Sequence, residues 1–178
     1  MSSNFFKQTM DNNFYDVLSF GQEQERIVLQ HLQAKYPGWQ FKKLGGVDEP
    51  DYDCKIGGVE LKSTRGWYHK PCIEVKTMTT QKLSMWLSEG VRILIINHED
   101  WLHFYDARKL KENIHEFEPF YKDVWQEGTY YKKMKFINIR DASTLQSRFA
   151  DMDDDPLRWD CSRLKNNPYL FSERKNKR

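Results

Sequence analysis

Residues 50–62 read PDYDCKIGGVELK, and the fold turns on how this stretch pairs with itself. Side chains alternate faces along a strand, so Asp51, Asp53 and Lys55 share one face while Tyr52, Cys54 and Ile56 share the other. A two-residue primed turn at Gly57-Gly58 sets Ile56 opposite Val59, Lys55 opposite Glu60 and Asp53 opposite Lys62. The ribbon then has a polar face carrying Asp51, Asp53, Glu60 and Lys62, and an apolar face completed by Val59 and Leu61. A polar face of this kind either carries cross-strand salt bridges or holds a metal ion.

Upstream, residues 14–36 carry Val28, Leu29, Leu32 and Tyr36 at helical spacing and stop at Pro37-Gly38. Glu25 falls on that apolar stripe, whereas Glu23 projects from a neighbouring face. A carboxylate aimed at the core side needs a cationic partner, because a bare buried charge is costly. WQFKKLG (39–45) reads as a strand and GVDEP as a loop before the ribbon.

Downstream, CIEVKT (72–77) reads as a strand. QKLSMWLSEG (81–90) reads as a short helix capped by Thr80 and stopped at Gly90. VRILIIN (91–97) is a buried strand, HED a turn and WLHFYD (101–106) its partner. DARKLKENIHEF is expected to be a helix capped by Asp106, and YYKKMKFINI (130–139) an edge strand. Helix, strand, hairpin, helix and paired strands in this order predict an α/β fold with a central mixed sheet.

The 178 residues suffice for one domain with a proper core, and 39% hydrophobic and 15% aromatic content place it among globular chains. The expected division is one domain over 1–150, its core about 14–118, followed by an acidic-then-basic extension over 151–178. DMDDD (151–155) opens that extension, and Arg158, Arg163, Lys165, Arg174, Lys175, Lys177 and Arg178 follow. Such a tail either follows a phosphate backbone or is simply solvated; the net charge of +2 is too small to decide. The widely spaced Cys54, Cys72 and Cys161 suggest neither a disulfide framework nor a zinc knuckle. No apolar run is long enough to cross a bilayer and no secretion signal is visible, so the expected location is the cytoplasm.

With these residues in place, the chain resembles the PD-(D/E)xK nuclease superfamily through Pro50-Asp51 (or Asp53) followed by Glu60-Leu61-Lys62. Gly21-Gln22-Glu23-Gln24-Glu25-Arg26 is similar to the first helix of archaeal Holliday-junction resolvases. The likeness runs from about Gly21 to Asp106. It implies a restriction-endonuclease-like α/β/α core and a Mg²⁺- or Mn²⁺-dependent nuclease acting on DNA, an endonuclease of phage or mobile-element type. The phage reading puts it in the host cytoplasm. Asp51, Asp53 and Glu60 are the implied metal ligands, with Asp53 favoured over Asp51 for its place across the hairpin. Lys62 would orient or deprotonate the attacking water, and Glu25 would complete the site. Arg65, Trp67 and Lys70 lie in a basic-aromatic loop beside the site, and Gln81 occupies a position where several branches keep a glutamine; these four are the expected nucleic-acid contacts. A second E-x-K, Glu74-Val75-Lys76, competes with Glu60 and Lys62 for the catalytic role. An RNA-cleaving or exonucleolytic member of the same fold, and a non-catalytic nucleic-acid-binding protein, are the alternatives. Symmetric cleavage of two strands would favour a homodimer.

Overall fold

The computed structural model describes residues 3–64, 72–77, 82–114, 121–126, 132–138 and 167–175. Helix α1 (Ser3–Lys35) ends before a 3₁₀ turn at Pro37–Trp39, as expected where proline denies the helix its next N–H. Strands β1 (Lys42–Lys43), β2 (Tyr52–Cys54), β3 (Gly57–Thr64) and β4 (Cys72–Thr77) follow. After them come β5 (Val91–His98), β6 (Trp101–Asp106), helix α2 (Ala107–Glu112), β7 (Tyr121–Gln126), β8 (Lys132–Asn138) and β9 (Tyr169–Arg174). Six strands form one mixed sheet in the order β1-β2-β3-β5-β6-β9, and three form a second in the order β4-β8-β7. Only β3 and β5 run parallel in the larger sheet. The α/β class and the mixed sheet therefore stand as expected.

Alternation along β5 divides the core in two. Leu94 and Ile96 join Trp86, Leu87, Val91, Tyr105, Ala107 and Leu110 in one cluster. Ile93 and Ile95 join Val28 and Leu32 of α1 with Tyr52, Val59, Leu61, Leu102 and Phe104 in the other. Because neighbouring side chains on a strand point oppositely, these clusters cover opposite faces of the sheet. One is roofed by α1 and the other by α2 and the Met85–Leu87 turn. Among the described residues, no helix is long and apolar enough to cross a membrane.

Several local expectations are corrected. The ribbon turns at Lys55-Ile56 rather than at the glycines: Tyr52 pairs with Val59, Asp53 with Gly58 and Cys54 with Gly57. The glycines serve close approach instead. Gly57 has φ +128°, and a Cβ on Gly58 would lie 2.7 Å from Pro50 Cγ and 2.8 Å from the Gly90 carbonyl oxygen. Gly58 N–H donates to that same carbonyl at 3.0 Å.

The helix expected over 81–90 is only a 3₁₀ turn at Met85–Leu87 in its described part, flanked by extended Ser84 and Ser88. Burial of Trp86 and Leu87, not helical repetition, fixes that segment. The strand expected over 39–45 shrinks to Lys42–Lys43. Asp106 does cap α2, accepting from Arg108 and Lys109 N–H, but the helix closes at Glu112. β8, expected at an edge, is the middle strand of its sheet, and β4 belongs to that smaller sheet. Residues 169–174, expected in a C-terminal extension, are the strand beside β6 at the edge of the larger sheet.

Candidate active site

The register of β2 against β3 decides which carboxylate meets Glu60. It sets Asp53 against Gly58, so continuing the pairing outward brings Asp51, not Asp53, level with Glu60. The Asp51 carboxylate accepts from the Leu61 backbone N–H at 2.7 Å, which holds it against β3. Lys62 Nζ donates to Glu60 Oε1 at 2.6 Å; two residues apart on one strand, they share a face. Asp51, Glu60 and Lys62 thus converge. Asp53 stands apart, 40% exposed and 3.8 Å from Lys42, so the cross-strand meeting of Asp53 with Lys62 is replaced by one between Asp51 and the Glu60–Lys62 strand.

Electrostatics distinguish the two converging carboxylates from ordinary surface acids. The Glu60 side chain is only 5% exposed. Burial pushes its proton affinity up; Lys62 pulls it back, and the Asp51 charge adds to the rise. Asp51 is raised for the same first reason, burial, with the Leu61 N–H and Lys62 opposing and Glu25 reinforcing. Two desolvated acids therefore press on each other, the condition a cation relieves.

Glu25 reaches this neighbourhood from α1. Its backbone carbonyl accepts from the Tyr52 hydroxyl at 2.7 Å, and its carboxylate accepts from Lys43 Nζ at 2.8 Å. Burial raises the Tyr52 pKa well above the usual phenol range, helped by the charges of Asp51, Glu25 and Glu60, so the phenol keeps its proton and remains a donor. Glu25 is 25% exposed, whereas Glu23 points outward and pairs with Arg26 at 2.6 Å. The distinction expected from the helical stripe is therefore present. Tyr52 and Lys43 were not singled out by the sequence; their value lies in cross-strand neighbourhood, Lys43 pairing with Tyr52.

The competing E-x-K is on β4, in the smaller sheet, where Glu74 pairs with Phe136. Arg65, Trp67, Lys70 and Gln81 lie outside the described residues.

Among the described residues no three His, Cys, Asp or Glu side chains converge as a closed metal cage. Asp51 and Glu60 supply two oxygen donors. That set fits Mg²⁺, which binds through one or two carboxylates and completes its shell with water and substrate phosphate. It does not fit a structural zinc site, which takes four protein ligands.

Comparison with protein-family models, with curated proteins and with solved structures returned no match.

Proposed function

We propose that the chain is a divalent-metal-dependent nuclease with a restriction-endonuclease-like core. It hydrolyses phosphodiester bonds in DNA as an endonuclease of phage or mobile-element type, with structure-directed or weak sequence specificity. The observation that carries this reading is the convergence of Asp51, Glu60 and Lys62, with both carboxylates desolvated. Purely structural salt bridges would leave no reason to press two acids together behind one lysine. Among the described residues Asp51 is held by a backbone N–H rather than by an ion pair.

In the mechanism, Asp51 and Glu60 would hold the cation, which would supply charge neutralisation at the scissile phosphate and a water of lowered pKa. Lys62, 2.6 Å from Glu60, would orient the attacking water and steady the developing negative charge. Glu25, anchored through its backbone by Tyr52, stands at the rim and acts through water.

The test is a titration of Mg²⁺ and Mn²⁺ against branched, duplex and single-stranded DNA and RNA. Either ion should support cleavage of DNA, while Ca²⁺ should permit binding with little turnover. Cleavage that survives EDTA refutes the metal mechanism. Preference for RNA, or release of mononucleotides from ends, transfers the assignment to the alternative activities.

A further inference from the structure

We infer that Lys43 is the internal counter-ion of this site, held by Glu25 in the cation-free protein and turned to the nucleic-acid backbone once a divalent cation binds. The inference rests on the metal-dependent reading above. Lys43 sits on the two-residue strand β1, its Nζ 2.8 Å from Glu25. It pairs across the ladder with Tyr52, and the next residue's N–H, that of Leu44, donates to the Asp51 carbonyl at 3.1 Å. Its backbone is therefore fixed beside the residue that meets Glu60. Its side chain is 50% exposed, and an exposed ion pair of this kind is weak enough to open. The cross-strand partner of Lys43, Tyr52, donates to the Glu25 backbone carbonyl at 2.7 Å, so Lys43 and Glu25 are held beside the strand that Asp51 leads into.

Charge balance gives the lysine its role. Glu25, Asp51 and Glu60 carry three negative charges against the two positive charges of Lys43 and Lys62, leaving the site one unit negative. A divalent cation makes it one unit positive, matching a phosphodiester anion. Without Lys43 the loaded site would be neutral. Lys43 thus opposes the cation and favours the substrate.

These opposite signs make the test. Mn²⁺ binding is followed by electron paramagnetic resonance, and binding of a short DNA duplex in Ca²⁺ by anisotropy across a salt series. Lys43→Gln should bind Mn²⁺ roughly threefold to tenfold more tightly, as expected for removing one positive charge near the ion in a largely aqueous setting. The same variant should bind the duplex more weakly, with a salt slope shallower by about 0.9, one phosphate contact. Lys43→Arg should keep both values near the parent. A supporting residue with no charge role would weaken both affinities or neither, and either result overturns the inference. If parent Mn²⁺ binding is lost in Glu60→Gln but unchanged in Lys43→Gln, the counter-ion role falls and the nuclease reading stands. If the parent binds no Mn²⁺, both fall.

Discussion

Removing the Glu173 carboxylate tests how the larger sheet is closed. Glu173 lies on β9 and is buried against α1. Its carboxylate meets His31 Nε2 at 2.7 Å, accepts from Lys35 Nζ at 2.5 Å, and accepts from the Tyr36 hydroxyl. In Glu173→Ala, His31 and Tyr36 lose this acceptor, at about 1–3 kcal/mol each. Lys35 is 44% exposed and reaches water, so its loss adds only about 0–1 kcal/mol. Relief of the buried charge offsets part of the total. The expected net loss is about 3 kcal/mol. For a chain of this size that lowers the unfolding midpoint by about 6–12 °C, read by circular dichroism and checked by urea unfolding. A loss below about 1 kcal/mol refutes the reasoning and leaves β9 docked chiefly through Phe171, whose ring stacks on Phe104 with centroids 4.3 Å apart.

The remaining predictions concern the site. Glu60→Gln or Lys62→Ala should lower cleavage by roughly 10²–10⁴-fold with the fold retained by circular dichroism; equal loss in Glu74→Gln with Glu60→Gln still active would move the site to the smaller sheet. Glu25→Gln should lower activity strongly and leave the cation-free protein at least as stable, whereas Glu23→Gln should change neither, as cleavage and urea assays on the pair will show. Asp51 and Glu60 hold protons more tightly folded than unfolded, so the cation-free chain gains stability from them as pH falls from neutrality toward the ordinary carboxylate range, and loses it as pH rises through their folded values. Glu173 has the opposite sign. Burial raises its proton affinity, but Lys35, Tyr36 and His31 outweigh that and lower it, so its contribution is present above the ordinary range and lost below. Urea midpoints against pH should therefore rise on mild acidification and collapse on stronger acidification. Asp51→Asn should flatten the first limb and Glu173→Gln the second.

The sequence disclosed the faces of the ribbon better than its turn. Tyr52, Cys54, Val59 and Leu61 are buried together as expected, because moving the turn to Lys55-Ile56 shifts the pairing by an even step and leaves the paired side chains on their faces; Ile56, expected with them, falls in the turn and is 50% exposed. The partner of Asp53 changed all the same, from Lys62 to Gly58. Gly57-Gly58 resembles a primed turn in sequence, but here the missing side chains admit the Gly90 backbone and Pro50, a tertiary cause that no local pattern carries. The side of α1 that Glu25 takes was legible because Val28, Leu29 and Leu32 mark the packed side of the helix. β9 was hidden for the opposite reason. YLFSER is short and lies among basic residues, and its inward glutamate makes sense only when His31, Lys35 and Tyr36 are seen beside it. The Asn167-Pro168 pair was the available clue: Asn167 Oδ1 accepts from Tyr169 N–H, and the Pro168 carbonyl from Asp106 N–H, setting the strand's start.

The bond between His31 and Glu173 joins residues 142 positions apart, and this gives the sheet a timetable. A ribosome adding about 5–20 residues per second makes Glu173 roughly 7–28 s after His31. Until then, α1 carries its histidine and lysine with no carboxylate from β9 to meet them. The outer edge of β6 likewise keeps its backbone donors and acceptors open through the synthesis of everything between β6 and β9. That edge, bearing Leu102 and Phe104, is a template for intermolecular pairing during this interval. Nascent chains halted before β9 should therefore recruit chaperones more strongly than chains that have passed it, so the six residues of β9 govern when this protein becomes safe from its own copies.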